Sequence, residues 1–496
     1  MKLYILTFLI FCVSGILFLS KPFETKNDIS IAVNPEFVSI KNNQFFLKTK
    51  PFYPIALNYV VSMQGDEKGN VWASSCNSYN SNNKFLYTTK DSSHMQLKAE
   101  MDLMKEKGFN TIRIVRIGEE LVSEDGSLSF KASINNQRDT VYSLSDAKNY
   151  LKYFGAIEEL LKLSDNAGLK VILLVSTLPD VKRTEDHLVK FAIRFKNTSA
   201  LMAYDLFNEP LYFDKKERKK EEVFEIAKNW NQLIKTNAPN QLFTIGLEGI
   251  REVFEWDPNI LDVDFVSLHP YEYEPEQVAN ELYWYGKYIT KPWMLGETAI
   301  SADNDSVSYE SQALFAAKTL KRTRDCGAIG YSWWQFKDVD WHLFHANYMG
   351  IVNWVGETKT QKQNIVLKGT VKPVAEVFKN YNPAVKKDSC NCLTNYYNYT
   401  NNNKFRLVGY MYDMDDQPIE GGVVLAWNQW WSHSYHTITK KDGSFELYSS
   451  YPFYHWMASS TLHSMVRGDF IPDSAKFIGN IPTINIGKLK LKSLNL

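Results

Sequence analysis

Two glutamates in this chain could do acid–base chemistry together, because each directly follows a short apolar run. Glu209 lies in the segment DLFNEP and Glu297 in the segment PWMLGE. One carboxylic acid can protonate a departing oxygen while a second, ionised carboxylate attacks or stabilises an electron-poor carbon. Such a pair is the minimum requirement for cleaving a glycosidic bond. The pair can act only if the fold brings both side chains to one place.

The chain around the two glutamates alternates between short apolar runs and helix-like segments. The apolar runs predict strands at 51–58, 110–117, 170–177, 201–208, 241–247, 264–270, 291–297 and 328–336. Amphipathic segments such as 94–108, 150–168 and 221–237 predict helices, and several of them end at a glycine. This alternation predicts an α/β fold, a (β/α)8 TIM barrel. An open doubly wound sheet is the alternative, but no glycine-rich nucleotide-binding turn follows the first strand.

A TIM barrel carries its active site at the carboxyl ends of its strands. Polar and aromatic residues gather at those ends in this sequence: Asn58, Arg113, Asn208, Glu209, His269, Tyr271, Glu297, Trp333 and Trp334. Further candidates for the same rim are equally compatible with loop packing: Tyr59, Trp72, Tyr212 and Trp341. An ionised Glu297 beside Arg113 and a protonated Glu209 would give the two carboxyl groups the different pKa values that this chemistry requires.

These residues carry a resemblance to a known enzyme family. The segments IALNY, GFNTIRI, FNEP, HPY and LGE, with a tryptophan on the last strand, make residues 36–385 similar to glycoside hydrolase family 5 and its clan A relatives, the cellulase and mannanase barrels. The resemblance implies a retaining double displacement in which Glu209 is the acid/base and Glu297 is the nucleophile. We expect no cofactor and no metal ion, and the nine histidines show no metal-binding spacing.

The resemblance also implies roles for the residues around the two glutamates. Asn208 would hold the sugar 2-hydroxyl. His269 and Tyr271 would line the site, with Tyr271 hydrogen-bonded to the nucleophile. Arg113 would orient the nucleophile, and Asn58 is a further substrate-binding candidate at the end of the first strand.

Two details concern the edges of this site. The aromatic pair followed by Gln-Phe resembles the family most closely when Trp334 forms the floor of the subsite at the cleaved bond, which leaves Trp333 to pack in the core. Only one of the two can face the sugar, because adjacent strand residues point to opposite sides. The third strand ends with Val-Ser-Thr at 175–177, without the histidine often found there in the family. The sugar contacts at that edge are therefore not defined by the resemblance.

Two further regions flank the predicted barrel. Residues 36–55 predict a short β-hairpin with an Asn-Asn turn. Residues 386–404 are rich in Asn, Lys and Ser and predict a linker to a second domain at 405–496. The pattern of residues 405–447 resembles the carboxypeptidase regulatory-like β-sandwich domain. Its aromatic residues could form a sugar-binding face, or could pack in the sandwich or against the barrel: Trp427, Trp430, Trp431 and Tyr435.

The first 20 residues predict export of the chain. An apolar run from Leu3 to Leu19 lies between Lys2 and Lys21, and no small-residue cleavage site follows it, so 1–20 is a signal peptide or an N-terminal membrane anchor. We expect a secreted protein or one anchored at the cell surface or periplasmic face. Export permits disulfides, but the four cysteines beyond this segment are too scattered for a disulfide scaffold. Lys+Arg and Asp+Glu both number 56, which argues against a nucleic-acid partner.

The leading hypothesis is a monomeric, endo-acting β-glycanase whose substrate is β-mannan or β-glucan. The first alternative is an exo-β-glycosidase or a transglycosylase that uses the same site. A catalytically inactive carbohydrate-binding surface protein is an alternative of another class, and the presence of both glutamates with Asn208 beside the acid counts against it. A purely structural surface protein is the remaining alternative. The identity of the sugar depends on loops such as 60–93 and 337–365, whose shapes do not follow from the sequence.

Overall fold

The computed structural model describes residues 34–118, 121–123, 125–272, 275–360, 365–385, 387–391, 403–470, 476–478 and 480–496. The segment predicted as a signal peptide or anchor, 1–20, and most of the predicted linker, 386–404, lie outside these residues. No helix of the described ranges is both long and apolar enough to cross a membrane.

Residues 39–379 form the strands and helices of the amino-terminal part of the chain. The strands are β1 (Ser39–Lys41), β2 (Gln44–Leu47), β3 (Lys50–Phe52), β4 (Ile55–Gly65), β5 (Val71–Ser75), β6 (Thr111–Val115), β7 (Leu121–Val122), β8 (Leu128–Ile134), β9 (Arg138–Ser143), β10 (Lys170–Leu174), β11 (Leu201–Asn208), β12 (Leu242–Leu247), β13 (Val266–Leu268), β14 (Trp293–Leu295), β15 (Tyr331–Trp333), β16 (Glu357–Lys359) and β17 (Val366–Lys368). The helices are α1 (Lys90–Glu106), α2 (Ala147–Asn166), α3 (Lys182–Phe195), α4 (Pro210–Phe213), α5 (Lys220–Asn237), α6 (Val278–Tyr288), α7 (Tyr309–Asp325), α8 (Phe344–Asn347) and α9 (Val374–Lys379).

Eight parallel strands close into a barrel, in the order β4, β6, β10, β11, β12, β13, β14 and β15. The barrel closes because β15 also pairs with β4, where Tyr331 lies opposite Ile55 and Trp333 opposite Leu57. This closure confirms the predicted TIM barrel and excludes the open doubly wound sheet. The strands are almost entirely buried, as expected for parallel strands that helices cover on the outside.

The helices between the barrel strands confirm the amphipathic segments of the sequence. Helix α1 is followed by Gly108 with φ 92°, and helix α2 by Gly168 with φ 72°. A residue with a side chain rarely adopts this left-handed conformation, so glycine is suited to end a helix and turn the chain into the next strand. A side chain at position 108 would also collide with the backbone oxygen of Phe378.

The amino-terminal hairpin closes one end of the barrel. Strands β1, β2 and β3 form a small antiparallel sheet, and the predicted Asn-Asn turn lies at Asn42 and Asn43, with φ of 48° and 53°. Phe45 of this sheet is fully buried and packs edge-on against Phe265, with 5.3 Å between the ring centroids. Its neighbours lie at the amino-terminal ends of the barrel strands, such as Ile172 and Met294. The opposite end, where the carboxyl ends of the strands meet, is therefore the one open to a substrate.

The carboxyl-terminal part of the chain forms two antiparallel-rich sheets of four strands each. Their strands are β18 (Phe405–Asp413), β19 (Val423–Trp427), β20 (Ser434–Ile438), β21 (Ser444–Ser449), β22 (His455–Ser459), β23 (Val466–Asp469), β24 (Lys476–Ile478) and β25 (Ile481–Leu491). One sheet has the order β21-β18-β25-β24 and the other has the order β20-β19-β22-β23. This arrangement agrees with the predicted β-sandwich, and the predicted turn at Asp442-Gly443 separates β20 from β21.

The sandwich sheet that contains β19 lies between the barrel and the other sheet of the sandwich. Val423 and Leu425 belong to the same continuous core as the barrel, whereas Val424 and Ala426 belong to the core of the sandwich. Successive strand residues face opposite sides, so both faces of β19 are covered. A strand covered on both faces reads as an unbroken apolar run, which is the case for the segment VVLAW.

Buried hydrogen bonds also join the barrel to the sandwich. The indole Nε1 of Trp284 donates to the backbone oxygen of Gly421 at 2.8 Å. The buried ammonium group of Lys220 lies 3.0 Å from Oδ2 of Asp257 and donates to the backbone oxygen of Ser460 at 2.8 Å. Breaking such a contact would leave a buried charge or a polar group without a partner, which costs more than the hydrogen bond itself contributes. The sandwich is therefore fixed against the barrel.

The start of the predicted linker is held against the barrel. Cys326, directly after α7, forms a disulfide with Cys390, and Asp388 forms an ion pair with Lys321 of α7. The scattered cysteines gave no sign of this pairing, because the two cysteines are 64 residues apart in the sequence. The buried Cys76 is a free thiol.

Candidate active site

The two glutamates lie close together at the carboxyl ends of their strands. Glu209 directly follows β11 and Glu297 lies two residues after the end of β14. One carboxyl oxygen of each lies within 4.8 Å of the other and of a ring nitrogen of His269. The backbone of Glu209 has φ 47° and ψ 68°, in the left-handed region that a residue with a long side chain seldom adopts. Such conformations cluster at functional sites, where the surrounding structure imposes them.

His269 lies between the two carboxyl groups. Its Nδ1 is 3.1 Å from Oε1 of Glu209 and 3.7 Å from Oε1 of Glu297. Two glycines give its ring room, since a Cβ on Gly246 would come within 2.6 Å of the ring and one on Gly296 within 2.7 Å. The glycine of the LGE segment is therefore required by the histidine packed beside it. Burial lowers the pKa of His269 to about 4, so its ring is neutral near pH 7.

Arg113 connects Glu297 to the barrel interior. Its Nη1 donates to Oε1 of Glu297, and its Nε and Nη2 lie 2.8 Å and 2.7 Å from Oδ2 of the buried Asp205. Nη2 also donates to Oδ1 of Asn208, and Nη1 to Oδ1 of Asn58. Asp205 and Glu297 keep the pKa of Arg113 above its usual range although burial opposes the charge. The guanidinium group therefore stays charged and fixes the orientation of Glu297.

Glu297 has a second donor on its other oxygen. The hydroxyl of Tyr271 donates to Oε2 of Glu297 at 3.2 Å, which is the contact that the family resemblance implied. Burial raises the pKa of Glu297, and the charge of Arg113 and the hydrogen bond that it donates counteract part of that rise. Burial and the neighbouring carboxylates raise the pKa of Tyr271 well above its usual range, so its hydroxyl keeps its proton. Both oxygens of Glu297 therefore accept hydrogen bonds, which favour its ionised form against the effect of burial.

Glu209 has a different electrostatic environment. Burial raises its pKa to about 7, and the charges of Arg113 and Arg251 only partly oppose this shift. Neither arginine donates a hydrogen bond to the Glu209 carboxyl group among the bonds of the described residues. Below pH 7 the site therefore holds Glu209 mostly protonated beside a second carboxyl group, Glu297, that is paired with a cation. This is the difference that an acid and a nucleophile need.

A cavity of about 710 Å³ opens above Glu297. It is lined by residues that follow several barrel strands and by residues of the sandwich: Tyr212, Arg251, Tyr271, Glu272, Pro275, Glu297, Ala299, Ile300, Ser301, Val307, Trp334, Phe344, His345, Ala346, Met349, Leu425, Ser434 and His436. Trp334 lies on its wall, whereas Trp333 is fully buried and donates through its indole Nε1 to the backbone oxygen of Met349. Glu209 lies beside the lining and keeps 16% of its side-chain surface exposed.

Several residues predicted at the rim do not reach the cavity. Asn58 is fully buried and its amide donates to the backbone oxygen of Gly296 at 3.0 Å and to Oγ of Ser332 at 3.0 Å. Tyr59 and Trp72 are buried in the core, with 0% and 2% of their surface exposed. The first strand therefore supports the floor of the site from below and does not line it. Four of the residues predicted at the rim do line the cavity: Tyr212, Tyr271, Glu297 and Trp334.

Three polar residues near the carboxyl pair were not predicted as site residues from the sequence: Asp205, Glu272 and His436. Asp205 holds Arg113 from inside the barrel, and a lone acidic residue within the apolar segment LMAYDLFN was its only signal. Glu272 lies three residues after His269, and His436 comes from the sandwich, yet both line the cavity. His436 could be found only from the fold, because nothing in its surrounding sequence points to a barrel.

Two groups of side chains have the composition of metal ligands. In each of them three ligand atoms lie within 4.8 Å of one another: Glu209, His269 and Glu297, and Glu272, Glu281 and His436. In the first group the guanidinium of Arg113 already supplies a cation to Glu297. In the second, Glu281 accepts hydrogen bonds from the hydroxyl of Tyr285 and from the backbone nitrogen of Ile250. In each group at least one carboxylate therefore already has an ionic or hydrogen-bonding partner within the protein.

Known structures of similar fold include several glycosidases. A β-D-glucuronidase from Dictyoglomus thermophilum is 15% identical, with a TM-score of 0.43 over 69% of this chain and 52% of the other, so the chain spans about half of its length. A GH5_18 protein from Streptomyces cattleya is 15% identical, with a TM-score of 0.42 over 58% of this chain and 75% of the other. An endo-1,4-β-mannanase from Rhizomucor miehei is 14% identical, with a TM-score of 0.42 over 60% of this chain and 90% of the other. No curated protein sequence matches the chain.

The family model for cellulase, glycosyl hydrolase family 5, matches residues 68–337. This range covers more than half of the chain and contains both glutamates, His269, Tyr271 and Trp334. The closed parallel barrel, with its polar residues at the carboxyl ends of the strands, agrees with that assignment. The chain belongs to glycosyl hydrolase family 5.

Proposed function

We propose that this protein is a glycosidase that cleaves β-linked glycans with retention of configuration, using Glu209 as the acid/base and Glu297 as the nucleophile. The observation that carries the proposal is the short separation of the two carboxyl groups, whose nearest oxygens lie within 4.8 Å. Retaining glycosidases have their carboxyl groups about 5–5.5 Å apart, whereas inverting enzymes need about 6.5–9.5 Å to admit a water molecule. The separation favours direct attack by Glu297.

The proposed reaction has two steps. In the first, Glu209 donates its proton to the glycosidic oxygen while that oxygen leaves the anomeric carbon, and a carboxylate oxygen of Glu297 bonds to the same carbon. In the second, Glu209 as a carboxylate takes a proton from water, and the water oxygen replaces Glu297 on the anomeric carbon. Tyr271 and Arg113 hold Glu297 in position through both steps.

The surrounding residues fall into two proposed groups. Trp334 and Tyr271, which line the cavity, would contact the sugar directly. Asn208 accepts from Arg113 through its oxygen, so its amide nitrogen would be the group that binds the sugar 2-hydroxyl. Asn58 and Arg113 lie buried beneath the carboxylates, and we propose that they position Glu297 and do not contact the sugar.

We propose β-mannan or β-glucan as the substrate and endo cleavage as the mode of action. The test is a panel of β-glucans, β-mannans and xylans, with release of reducing sugar and the anomer of the first product followed by NMR. We expect cleavage of a mannan or a glucan, with the β-anomer formed first. An α-anomer as the first product from a β-linked substrate would contradict the retaining mechanism. Release of monosaccharides alone would favour the exo-acting alternative.

The pH dependence of the reaction gives a second test. The pKa of Glu209 is about 7 and the first step needs its proton, so kcat/KM should be constant on the acid side of pH 7 until Glu297 gains a proton. Above pH 7 we expect kcat/KM to fall about tenfold per pH unit, since each unit lowers the protonated fraction of a single group tenfold. The profile is measured with an unactivated oligosaccharide. A kcat/KM that stays constant up to pH 9 would contradict the assignment of the acid.

We also propose that the protein is exported, on two grounds. The apolar segment at 1–20 has the composition of an export signal. The Cys326–Cys390 disulfide is typical of proteins that fold in an oxidising compartment.

We also propose that the carboxyl-terminal sandwich is a carboxypeptidase regulatory-like domain, on the basis of its sequence pattern.

A further inference from the structure

The wall of the catalytic cavity includes part of the carboxyl-terminal sandwich. Leu425, Ser434 and His436 come from strands β19 and β20, and they line the same cavity as Glu297. All other lining residues come from the loops and short helices that follow the barrel strands. The barrel alone would therefore leave one side of this cavity open.

The register of β19 and β20 arranges the residues of the shared wall in a row. Val423 lies opposite Ile438, and both belong to the barrel core. The next pair on the same face, Leu425 and His436, lines the cavity. The row is thus continuous from the barrel core to the cavity wall, because alternate residues of a strand share one face.

The same row continues beyond the cavity to an aromatic pair. The third pair on this face is Trp427 and Ser434, and Ser434 still lines the cavity. Trp427 packs in part against the barrel core, and its ring contacts that of Trp431 with 4.2 Å between the centroids. Trp431 lies in the turn between β19 and β20 and remains 47% exposed. Trp431 therefore extends the cavity-facing side of this hairpin into solvent.

A half-exposed tryptophan that packs against a second tryptophan, beside a strand pair that lines a cavity, has the form of a stacking platform. The flat ring buries apolar area against a sugar ring and loses little conformational freedom, since Trp427 already fixes its orientation. The neighbouring Trp430 is 77% exposed and has no ring contact with Trp427 among the described aromatic pairs. Trp431 therefore presents an oriented ring to a sugar, whereas Trp430 lacks the contact with Trp427 that would orient its ring.

The polar groups of the inner wall fit a neutral ligand. His436 lies 3.8 Å from Oε1 of Glu272, and both side chains are buried at the cavity wall. Burial lowers the pKa of His436 to about 4 and raises the pKa of Glu272 well above its usual range. Near neutral pH the His436 ring is therefore an uncharged donor and acceptor, as is the hydroxyl of Ser434, and the raised pKa of Glu272 favours its uncharged form. Sugar hydroxyl groups are neutral partners of the same kind.

We propose that the β19–β20 hairpin forms a sugar-binding subsite of the catalytic cavity, in which Leu425, Ser434 and His436 line the inner wall and Trp431 stacks on a distal sugar ring. The inference rests on the proposed function and names its substrate class. That substrate is a β-linked oligosaccharide or polysaccharide long enough to reach from Glu297 to the hairpin. The sandwich is thus part of the substrate site of the intact chain.

The test compares Trp431→Ala with Trp430→Ala as its matched control in the full-length protein. Hexasaccharides of β-glucan, β-mannan and xylan are first compared, and the one that the parent enzyme cleaves fastest is chosen. For each variant, kcat/KM is then measured on this hexasaccharide and on the aryl β-glycoside of the same sugar. The aryl glycoside has a single sugar ring at the cleaved bond, so it serves as a reference substrate without the distal ring that is proposed to stack on Trp431. The ratio of the two kcat/KM values is therefore insensitive to a general loss of folded protein.

In Trp431→Ala we expect this ratio to fall about tenfold through a higher KM for the hexasaccharide, the effect of losing the burial of about 50–60 Å² of apolar surface. In Trp430→Ala we expect the ratio to stay within about twofold of the parent, as is usual for an exposed residue without such contacts. An unchanged ratio in Trp431→Ala, or an equal fall in both variants, would overturn the subsite. The proposed function would survive that outcome, because its own tests are separate: the anomer of the first product, the pH profile, and the loss of aryl glycoside hydrolysis in Glu297→Gln.

Discussion

Glu297→Gln should lower kcat/KM on the cleaved glycan by about 10⁴-fold or more, the loss typical of removing a catalytic nucleophile. Glutamine has nearly the same shape, and its amide oxygen can still accept from Arg113 or Tyr271. A neutral amide cannot form the bond to the anomeric carbon that the first step requires. The substituted enzyme should therefore bind substrate while failing to turn it over. Initial rates and calorimetric binding on the same oligosaccharide measure the two effects separately.

The control for this substitution is Glu276→Gln, which changes an exposed carboxylate in the loop that follows β13. It should keep the activity of the parent within about twofold, as surface substitutions usually do. Activity of Glu297→Gln close to that of the parent would show that another group attacks the anomeric carbon. Loss of both binding and activity would instead indicate that the charge of Glu297 is needed to keep Arg113 in place.

The barrel could be predicted from the sequence because its strands are apolar on both faces and its helices are apolar on one. The segments NTIRIVRI, KVILLVST and LMAYDLFN became β6, β10 and β11 in parallel order. The rim residues followed from the same pattern, since the carboxyl end of each strand is its last residue in the sequence. The structure brings Glu209, Glu297, His269 and Tyr271 together at that rim.

The supporting contacts of the carboxyl pair could not be predicted in the same way. Arg113 and Asp205 are single charges within apolar strands, and only the closed barrel shows that they face each other with no solvent between them. Asn58 was placed among the sugar contacts because it ends the first strand, yet the strand continues to Gly65 and buries it. When the end of a strand is predicted from its last apolar residue, the predicted end falls too early if buried polar residues continue the strand.

Contacts between regions far apart in the sequence were also beyond prediction. The segment VVLAW reads as an ordinary core strand, and its pattern does not distinguish sandwich packing on both faces from packing against a second domain. His436 and Glu272 meet only because this strand pair docks on the loops of the barrel. The Cys326–Cys390 disulfide depends on the path of the chain after α9 in the same way.

Glu209→Ala should lower kcat/KM on an unactivated oligosaccharide by about 10²–10⁴-fold, the usual contribution of a general acid. The loss should shrink as the conjugate acid of the leaving group becomes more acidic. An acidic phenol can leave an aryl glycoside as the phenolate, without a proton from the enzyme. Measuring kcat/KM against the pKa of the leaving phenol checks this, and the dependence should be steeper in the variant than in the parent. An equal loss on all substrates would instead indicate a damaged site.

The alanine variant separates the role of Glu209 from that of Glu297. In the proposed mechanism Glu209 also serves as the base in the second step, so a glycosyl-enzyme intermediate should accumulate with activated substrates. Azide needs no base and fits the space left by the carboxyl group, so added azide should accelerate turnover and yield a glycosyl azide of retained configuration. The alkaline fall of kcat/KM near pH 7 should vanish on the same substrates, because the group with the pKa of about 7 is gone. A variant with no azide product and an unchanged pH profile would place the acid elsewhere in the cavity, and Glu272 would be the next carboxyl group to replace.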